Sequence, residues 1–461
     1  MSIITPTRIL VVGGGGREHA LAWKLGGEPG INVVVVAPGS DAIAREPNVD
    51  VVAGVDPLDP EAVVVVARRA AAELVVVGPE APLAAGVADA LIAAGFVVFG
   101  PTAAAARIET SKAVCHDVAE AAGVRMALAG AFADRDSAID FATDLASNSG
   151  GVVVKADGLA AGKGVTVCDT AAEAERAIDA LADAAGVAGP TDPQPQPGRP
   201  RAAAPWVMVE ERLHGPEASV IAICDGRTAV ALPIARDRKR LLDGDRGPNT
   251  GGMGASSPLA DLPDDTAGDL VARIHRPILA ELARRGTPFR GALYAGLILT
   301  AGGPVLLECN ARFGDPEAQV ILPRLAVALG PILLAAARGD LATALPASIL
   351  ADGRLPTLPG AAVGVVLAAA GYPDAPRRGD RIDGIDEAAA TGALVFHAGT
   401  TIDPDGAVRT AGGRVLTVVG RGPDVETAAD AADRAADRIS APGLQRRHDI
   451  GRPITAGALS A

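Results

Sequence analysis

Four short apolar runs in the first hundred residues, each stopped by a glycine or proline, constrain this chain most. Ile9–Val12, Val33–Val36, Leu74–Val77 and Val97–Phe99 run into Gly13, Pro38, Gly78 and Gly100. Residues 17–26, 60–72 and 84–94 between them read as helices. Strands alternating with helices predict a doubly wound parallel sheet. Ligands of such sheets gather at the carboxyl ends of the strands, where these glycines and prolines fall.

The chain has 461 residues, and a norm of ~150 residues per domain predicts about three domains. The expected divisions are an N-terminal α/β domain over 1–101, a central domain over 102–331 and a small C-terminal α+β domain over 332–461. Within the central block a helix is expected around 110–122 and another near 136–147, with strands at Gly151–Lys155 and Gly164–Cys168 and a helix near 171–185. Strands resume at Trp206–Glu210, Ser219–Cys224, Ala229–Pro233, Leu293–Leu299 and Val305–Asn310. Residues 189–205 are rich in Pro and Gly and read as a mobile loop. In the last block Ala361–Ala369, Leu394–His397 and Arg414–Gly420 read as strands and 424–439 as a helix.

Hydrophobic residues make up 49% of the chain but aromatics only 2%, so the core is expected to be Val, Leu, Ile and Ala. A net charge of −13 argues against nucleic-acid binding while leaving anionic small substrates open. Cys115, Cys168, Cys224 and Cys309 form no CxxC pair, so no zinc or redox motif is visible and a cytoplasmic enzyme is expected. The N-terminus reads as a first strand rather than a signal peptide, and no run is long enough for a membrane span.

Two loops suit phosphate. Gly13-Gly14-Gly15-Gly16-Arg17-Glu18-His19 follows the first strand and opens a helix, so backbone N–H groups and the positive helix end make Gly15, Gly16 and Arg17 an anion site. A dinucleotide fingerprint fails there, because the third glycine position holds Glu18 or His19. His19 reads as a helix-face residue. Glu80, in Gly78-Pro79-Glu80, has two readings: an acceptor for sugar hydroxyls, or an acid favoured at a helix N-terminus. In the second loop, Lys155 ends an apolar strand and is costly to bury unless it meets an anion. Gly158, Gly162, Lys163 and Gly164 follow in a stretch able to fold over a triphosphate, although it is not a Walker loop. Val207–Leu213 then offers an apolar lead-in for a purine, and Glu217 an acceptor for ribose hydroxyls.

Glu308 and Asn310 lie two apart on a strand and so share a face. A carboxylate and an amide oxygen there suit Mg²⁺ carried in on a phosphate. Arg312 follows, with a fork fit for a carboxylate or phosphate.

These residues resemble the ATP-grasp ligases. GGREHALAWKL at 15–25, GPEAPL at 78–83, FGPT at 99–102, VVKADGLAAGKGV at 153–165, GPNTGGMGA at 247–255, RFGDPE at 312–317, FHAGT at 396–400 and GGRVL at 412–416 resemble, within them, the phosphoribosylamine–glycine ligase family. The resemblance spans nearly the whole chain. It implies a central ATP-grasp fold with a mobile lid subdomain at about 124–206, and a monomer. It also implies ATP with Mg²⁺ or Mn²⁺, and ligation of glycine to 5-phosphoribosylamine in de novo purine synthesis. By position, Lys112 and Lys155 would meet ATP phosphates; Glu210, Glu211 and Leu213 would lie at the adenine hinge, with Glu217 at the ribose. Glu308 and Asn310 would hold the metal, and the GGRE loop and Glu80 would face phosphoribosylamine. Arg238 stands where the family often has histidine, and Ala318 where threonine is common.

Joining a carboxylate to an amine needs an activated carboxyl, and phosphoryl transfer from ATP gives an acyl phosphate. The site must therefore neutralise phosphate, align glycine and exclude water. Arg312 is expected to orient the glycine carboxylate. Asp315 is expected to hold the glycine ammonium or an amine proton, and Asn249, Gly251 and Gly252 to cradle the acyl phosphate with backbone N–H groups. The competing functions are a bicarbonate-activating ATP-grasp enzyme, a nucleotide sensor without turnover, and a nicotinamide oxidoreductase.

Overall fold

The computed structural model describes residues 4–158, 164–185 and 205–453. It divides into two compact units. The first comprises Met1–Ala106, Ala218–Ala295 and Asn310–Ala461; the second comprises Arg107–Glu217 and Gly296–Cys309. Gly162, Lys163 and residues 189–204 of the Pro-rich segment lie outside the described residues.

In the first unit the expected parallel sheet is present. Its strands are β1 (Arg8–Gly13), β2 (Val33–Pro38), β3 (Val49–Val51), β4 (Leu74–Val77) and β5 (Val98–Phe99), in the order β3-β2-β1-β4-β5. Val11 sits beside Val36 on one side and Val76 on the other, so the central strands are buried on both faces. β3 escapes the sequence pattern because it is three residues long with an exposed aspartate at its centre. The sheet's core runs on into the helical stretch after Phe313, through Val320, Ile321, Leu325 and Leu333. Phe313 rests on Phe99 with ring centroids 5.9 Å apart. That contact anchors the loop bearing Arg312 and Asp315 to the end of β5.

An antiparallel sheet in the same unit has the order Arg236–Asp237, Gly254–Ser257, Ala361–Ala368, Arg414–Gly422, Leu394–His397. The strand Gly254–Ser257, which sequence reading groups with the central block, thus pairs with Ala361–Ala368. Helix Val425–Ala436 packs on this sheet through Ala428, Ala429, Ala432 and Ala435. A Cβ on Gly420 would collide with the helix backbone at Ala428 and Ala432. Alanine on one side and glycine on the other set this short separation. A third sheet, of order Ala229–Ala231, Glu217–Asp225, Arg290–Thr300, Gly303–Asn310, has last strands that continue into the second unit.

The second unit holds an antiparallel sheet of order Ala129–Phe132, Val207–Glu211, Val152–Ala156, Val165–Cys168. Helices Arg135–Ser149 and Ala171–Ala185 cover one face. Val152, Val154, Val207 and Val209 point into that covered core, so the alternate residues Lys155, Met208 and Glu210 take the other face. The helix expected around 110–122 is Lys112–Ala121, and a further helix, Ala103–Thr110, precedes it. Ser111 breaks them, its hydroxyl accepting the Val114 N–H as an N-cap. No helix among the described residues is long and apolar enough to cross a membrane.

Two consequences are measurable. Gly420→Ala should cost about 1–3 kcal/mol by overpacking the helix against the sheet, against about 1 kcal/mol for removing the Asp424 N-cap; denaturant unfolding checks the order. Second, burial pushes His275 down to about 4 and His397 down to about 3, from an ordinary value of 6.5. The unfolded chain therefore takes up protons below about pH 6.5 that these rings refuse, and stability present above that pH is lost as pH falls. The carboxyls of Glu210 and Asp315, held below their ordinary range, add a further loss at lower pH. Melting temperature should decline steadily from about pH 6.5 downward; a flat profile over that window would contradict the neutral buried histidines.

Candidate active site

The glycine loop after β1 is built around one buried carboxylate. Glu18 accepts the Gly15 N–H at 2.7 Å and the Arg17 Nε–H at 2.6 Å. A Cβ at Gly78, just after β4, would strike this carboxylate, and one at Gly13 would come within 2.6 Å of the Glu18 Cγ. Gly13 also sits at φ +127°, in the region that favours glycine. The ends of β1 and β4 thus close on Glu18, a residue that sequence reading passed over.

Arg17 is buried and donates to the Phe313 carbonyl at 3.1 Å, with Glu80 Oε2 at 3.8 Å. Arg312 donates to the same Glu80 oxygen at 3.2 Å and to the Phe313 carbonyl at 3.2 Å. Asp315 accepts Gln319 Nε2–H on one oxygen at 2.7 Å and Arg414 on the other at 2.9 Å. Burial pulls the Arg17 pKa down, but Glu18, Glu80 and Asp315 outweigh it and hold it above its ordinary value. Burial pushes Glu80 up, and Arg312 with Arg17 overcomes this to hold it low. Asp315 is likewise held low against burial, chiefly by Arg414 and then Arg17. At Arg17, Glu80 and Asp315 the neighbouring opposite charges thus outweigh burial. Glu80 is the first residue of helix Glu80–Ala84, and its partly exposed carboxylate bridges two arginines.

The neighbouring parts are tied in by residues without a sequence signature. Ser219 donates to the buried Glu317 carboxylate at 2.9 Å and lies 2.9 Å from the Tyr294 hydroxyl, fixing the GDPE turn to the third sheet. His19 lies in the helix Gly16–Gly26. It is buried, accepts the His397 N–H on Nδ1 at 2.8 Å, and so carries its proton on Nε2, 3.1 Å from Glu46. Arg238 pairs with Asp245 at 3.1 Å.

The loop at 249–254 is held by its own hydrogen bonds. Gly251 N–H donates to the Tyr372 hydroxyl, Gly252 N–H to the Thr250 hydroxyl, and Met253 N–H to the Arg238 carbonyl. These donors meet internal acceptors, as the Gly15 N–H meets Glu18. Its glycines have a steric cause: a Cβ on Gly251 would lie 3.1 Å from Arg414 Cζ, and one on Gly252 2.6 Å from Pro316 Cδ.

In the second unit the anion that Lys155 meets is Glu210. The two lie diagonally on neighbouring antiparallel strands, Val153 opposite Glu210 and Lys155 opposite Met208, and pair at 2.6 Å. His116 lies 3.1 Å from the other Glu210 oxygen. Lys155 and His116 hold the Glu210 carboxyl below its ordinary range although burial opposes this. Lys155 also reaches the Leu307 carbonyl at 3.4 Å, next to Glu308. Glu211 bonds Leu128 through both its carboxylate and its N–H. Lys112 donates to the Gly158 carbonyl at 3.2 Å, and Asp157 accepts from Ser111 and from the Ala113 N–H. The helix bearing Lys112 is thereby docked on the strand bearing Lys155. Gly164 opens the next strand, its carbonyl accepting the Ala156 N–H. Leu213 follows the Val207–Glu211 strand, and Glu217 begins the next strand at an exposed position. Glu308 and Asn310 lie on the strand Gly303–Asn310, partly exposed, with buried Cys309 between them. Asn249 ends the strand Arg246–Asn249.

Comparison with known proteins identifies the family. The phosphoribosylglycinamide synthetase N domain matches residues 7–109, the ATP-grasp (A) domain 110–318 and the C domain 362–453. A phosphoribosylamine–glycine ligase of Streptomyces coelicolor is 47% identical over 446 residues, covering 96% of this chain and 98% of that protein. One from Caulobacter vibrioides is 44% identical over 447 residues, covering 96% and 97%. The crystal structure of phosphoribosylamine–glycine ligase from Thermotoga maritima superposes with a TM-score of 0.75 at 32% identity, covering 96% of this chain and 99% of that one. The biotin carboxylase domain of a Hydrogenobacter thermophilus 2-oxoglutarate carboxylase, solved with MgADP, shares the fold at 17% identity and a TM-score of 0.66, covering 96% and 92%. With three family domains matched in order along nearly its full length, the chain belongs to the phosphoribosylglycinamide synthetase family of ATP-grasp ligases.

Proposed function

We propose that this chain joins glycine to 5-phosphoribosylamine with ATP, giving glycinamide ribonucleotide, ADP and phosphate through glycyl phosphate, in de novo purine synthesis. The observation that carries the proposal is the joining of two distant motifs, GGRE and RFGDPE, into one charged array of Arg17, Glu80, Arg312 and Asp315. It has cations for a phosphate or a carboxylate and ionised carboxylates for an ammonium and for sugar hydroxyls. These are the groups that a phosphorylated amino sugar and an amino acid need.

Arg312 orients the glycine carboxylate and Asp315 receives its ammonium. Gly15, Gly16, Arg17 and Glu80 serve phosphoribosylamine. Lys155 and Lys112 serve the ATP phosphates, with Lys155 leaving Glu210 for phosphate; Glu210 and Leu213 border the adenine, and Glu217 the ribose. Glu308 and Asn310 fit Mg²⁺ or Mn²⁺: both present hard oxygen donors from one strand, and two protein ligands suit an ion that keeps water and phosphate oxygens as its others. When bound, the ion neutralises charge on the triphosphate. Among the described residues no cluster of three His, Cys, Asp or Glu offers a rival metal site. The protein works as a monomer in the cytoplasm, in keeping with four unpaired, buried cysteines.

An omission assay tests the function. ADP should form only when ATP, glycine and freshly generated 5-phosphoribosylamine are all present, and bicarbonate should not replace glycine. Lys155→Ala should lower turnover by at least about a hundredfold while circular dichroism stays unchanged. Glu308→Ala should raise the Mg²⁺ concentration for half-maximal rate; an unaltered Mg²⁺ titration would count against the metal assignment.

A further inference from the structure

We infer that Arg414, on the C-terminal sheet, is a positioning residue that clamps Asp315 and the Gly251 loop together and so prepares the glycine-binding part of the site. The inference rests on the function proposed above for Asp315. Arg414 is the first residue of strand Arg414–Gly422. Its Nη1 donates to the Gly251 carbonyl at 2.5 Å and to the Asp315 carbonyl at 2.7 Å, and its Nη2 donates to Asp315 Oδ2 at 2.9 Å. One guanidinium thus holds three acceptors on two loops, a task that its planar fork suits and a lysine ammonium does not.

The surroundings are shaped for that fork. No side chain fits on Gly251 without meeting the guanidinium, and Gly252 is pressed against Pro316. From the other side Tyr372, also in the C-terminal region, accepts the Gly251 N–H at 2.9 Å. The conformation of this loop therefore depends on two residues far from it in sequence. The groups facing Asp315 are Arg414 from the sheet, Arg17 and Gln319 from two helices, and Arg312 from its own loop. Glu80 faces the same arginines. Removing Arg414 takes away the strongest charge that keeps Asp315 ionised, and leaves Arg17 and Arg312 shared between Asp315 and Glu80.

The test uses full-length Arg414→Gln and Arg414→Lys, with kcat and KM for each substrate across pH, and hydrogen exchange of segments 249–254 and 312–317. In Arg414→Gln the KM for glycine should rise at least about tenfold, the KM for ATP should stay within about twofold, and the acid limb of kcat/KM should move to higher pH. Millimolar guanidinium should restore part of the loss. Arg414→Lys keeps the charge, so its acid limb should stay in place while its glycine KM still rises. Both segments should exchange faster in both variants. Unchanged glycine KM and pH profile in Arg414→Gln would overturn the inference, as would an equal rise in all three KM values. Should Arg414→Gln fail to fold, a glycine KM in Arg414→Lys equal to wild type overturns it. A wild-type protein that does not ligate glycine defeats the proposed function, and the exchange data then judge the clamp by themselves: unaltered exchange overturns it, faster exchange upholds it.

Discussion

The buried carboxylate of Glu18 is the interaction on which the substrate side of this protein depends. A charge so deeply buried must be met by donors, and the Gly15 N–H and Arg17 meet it. Glycine at 13 and 78 lets the ends of β1 and β4 close around it. Arg17 is then aimed away from its own helix toward Phe313 and Glu80, and Phe313, packed on Phe99, brings Arg312 and Asp315 alongside. A glycine loop that looks like a simple anion cradle is thus also a scaffold for a guanidinium.

The array that results contains three guanidinium groups, Arg17, Arg312 and Arg414, and three carboxylates, Glu18, Glu80 and Asp315. Buried ion pairs of this kind contribute little net stability, because desolvation offsets the attraction. Their value lies in fixed orientation before substrate arrives, which removes reorganisation from the reaction. In the second unit Lys155 pairs with Glu210 on the next strand while His116 meets the other oxygen, and serving phosphate requires Lys155 to leave that pair.

Much of this was legible in the sequence, and the remainder was hidden for physical reasons. The parallel sheet could be read because each strand is short, apolar and stopped by Gly or Pro, and because parallel strands here alternate with helices. Arg17, Arg312 and Lys155 could be read because Arg17 lies in the turn into the helix after β1, Arg312 just past the strand Gly303–Asn310 and Lys155 at the end of an apolar strand. The Lys155–Glu210 pair could not, since it depends on the register between strands far apart in the chain. Arg414 and Tyr372 act on a loop that precedes them by more than a hundred residues, and nothing local marks either one. The strand Gly254–Ser257 is too short and too small-sided to announce its partner, Ala361–Ala368. At 249–254 the sequence shows the backbone donors but not the Tyr372 and Arg238 acceptors that fold onto them.

The central claim is that a carboxylate is activated by phosphoryl transfer from ATP before the amine attacks. Glycine labelled with ¹⁸O in its carboxylate tests this most directly, by mass analysis of the inorganic phosphate released with 5-phosphoribosylamine present. Activation through an acyl phosphate predicts one labelled oxygen in each phosphate formed. Phosphate free of label, formed in step with the ligated product, would contradict it.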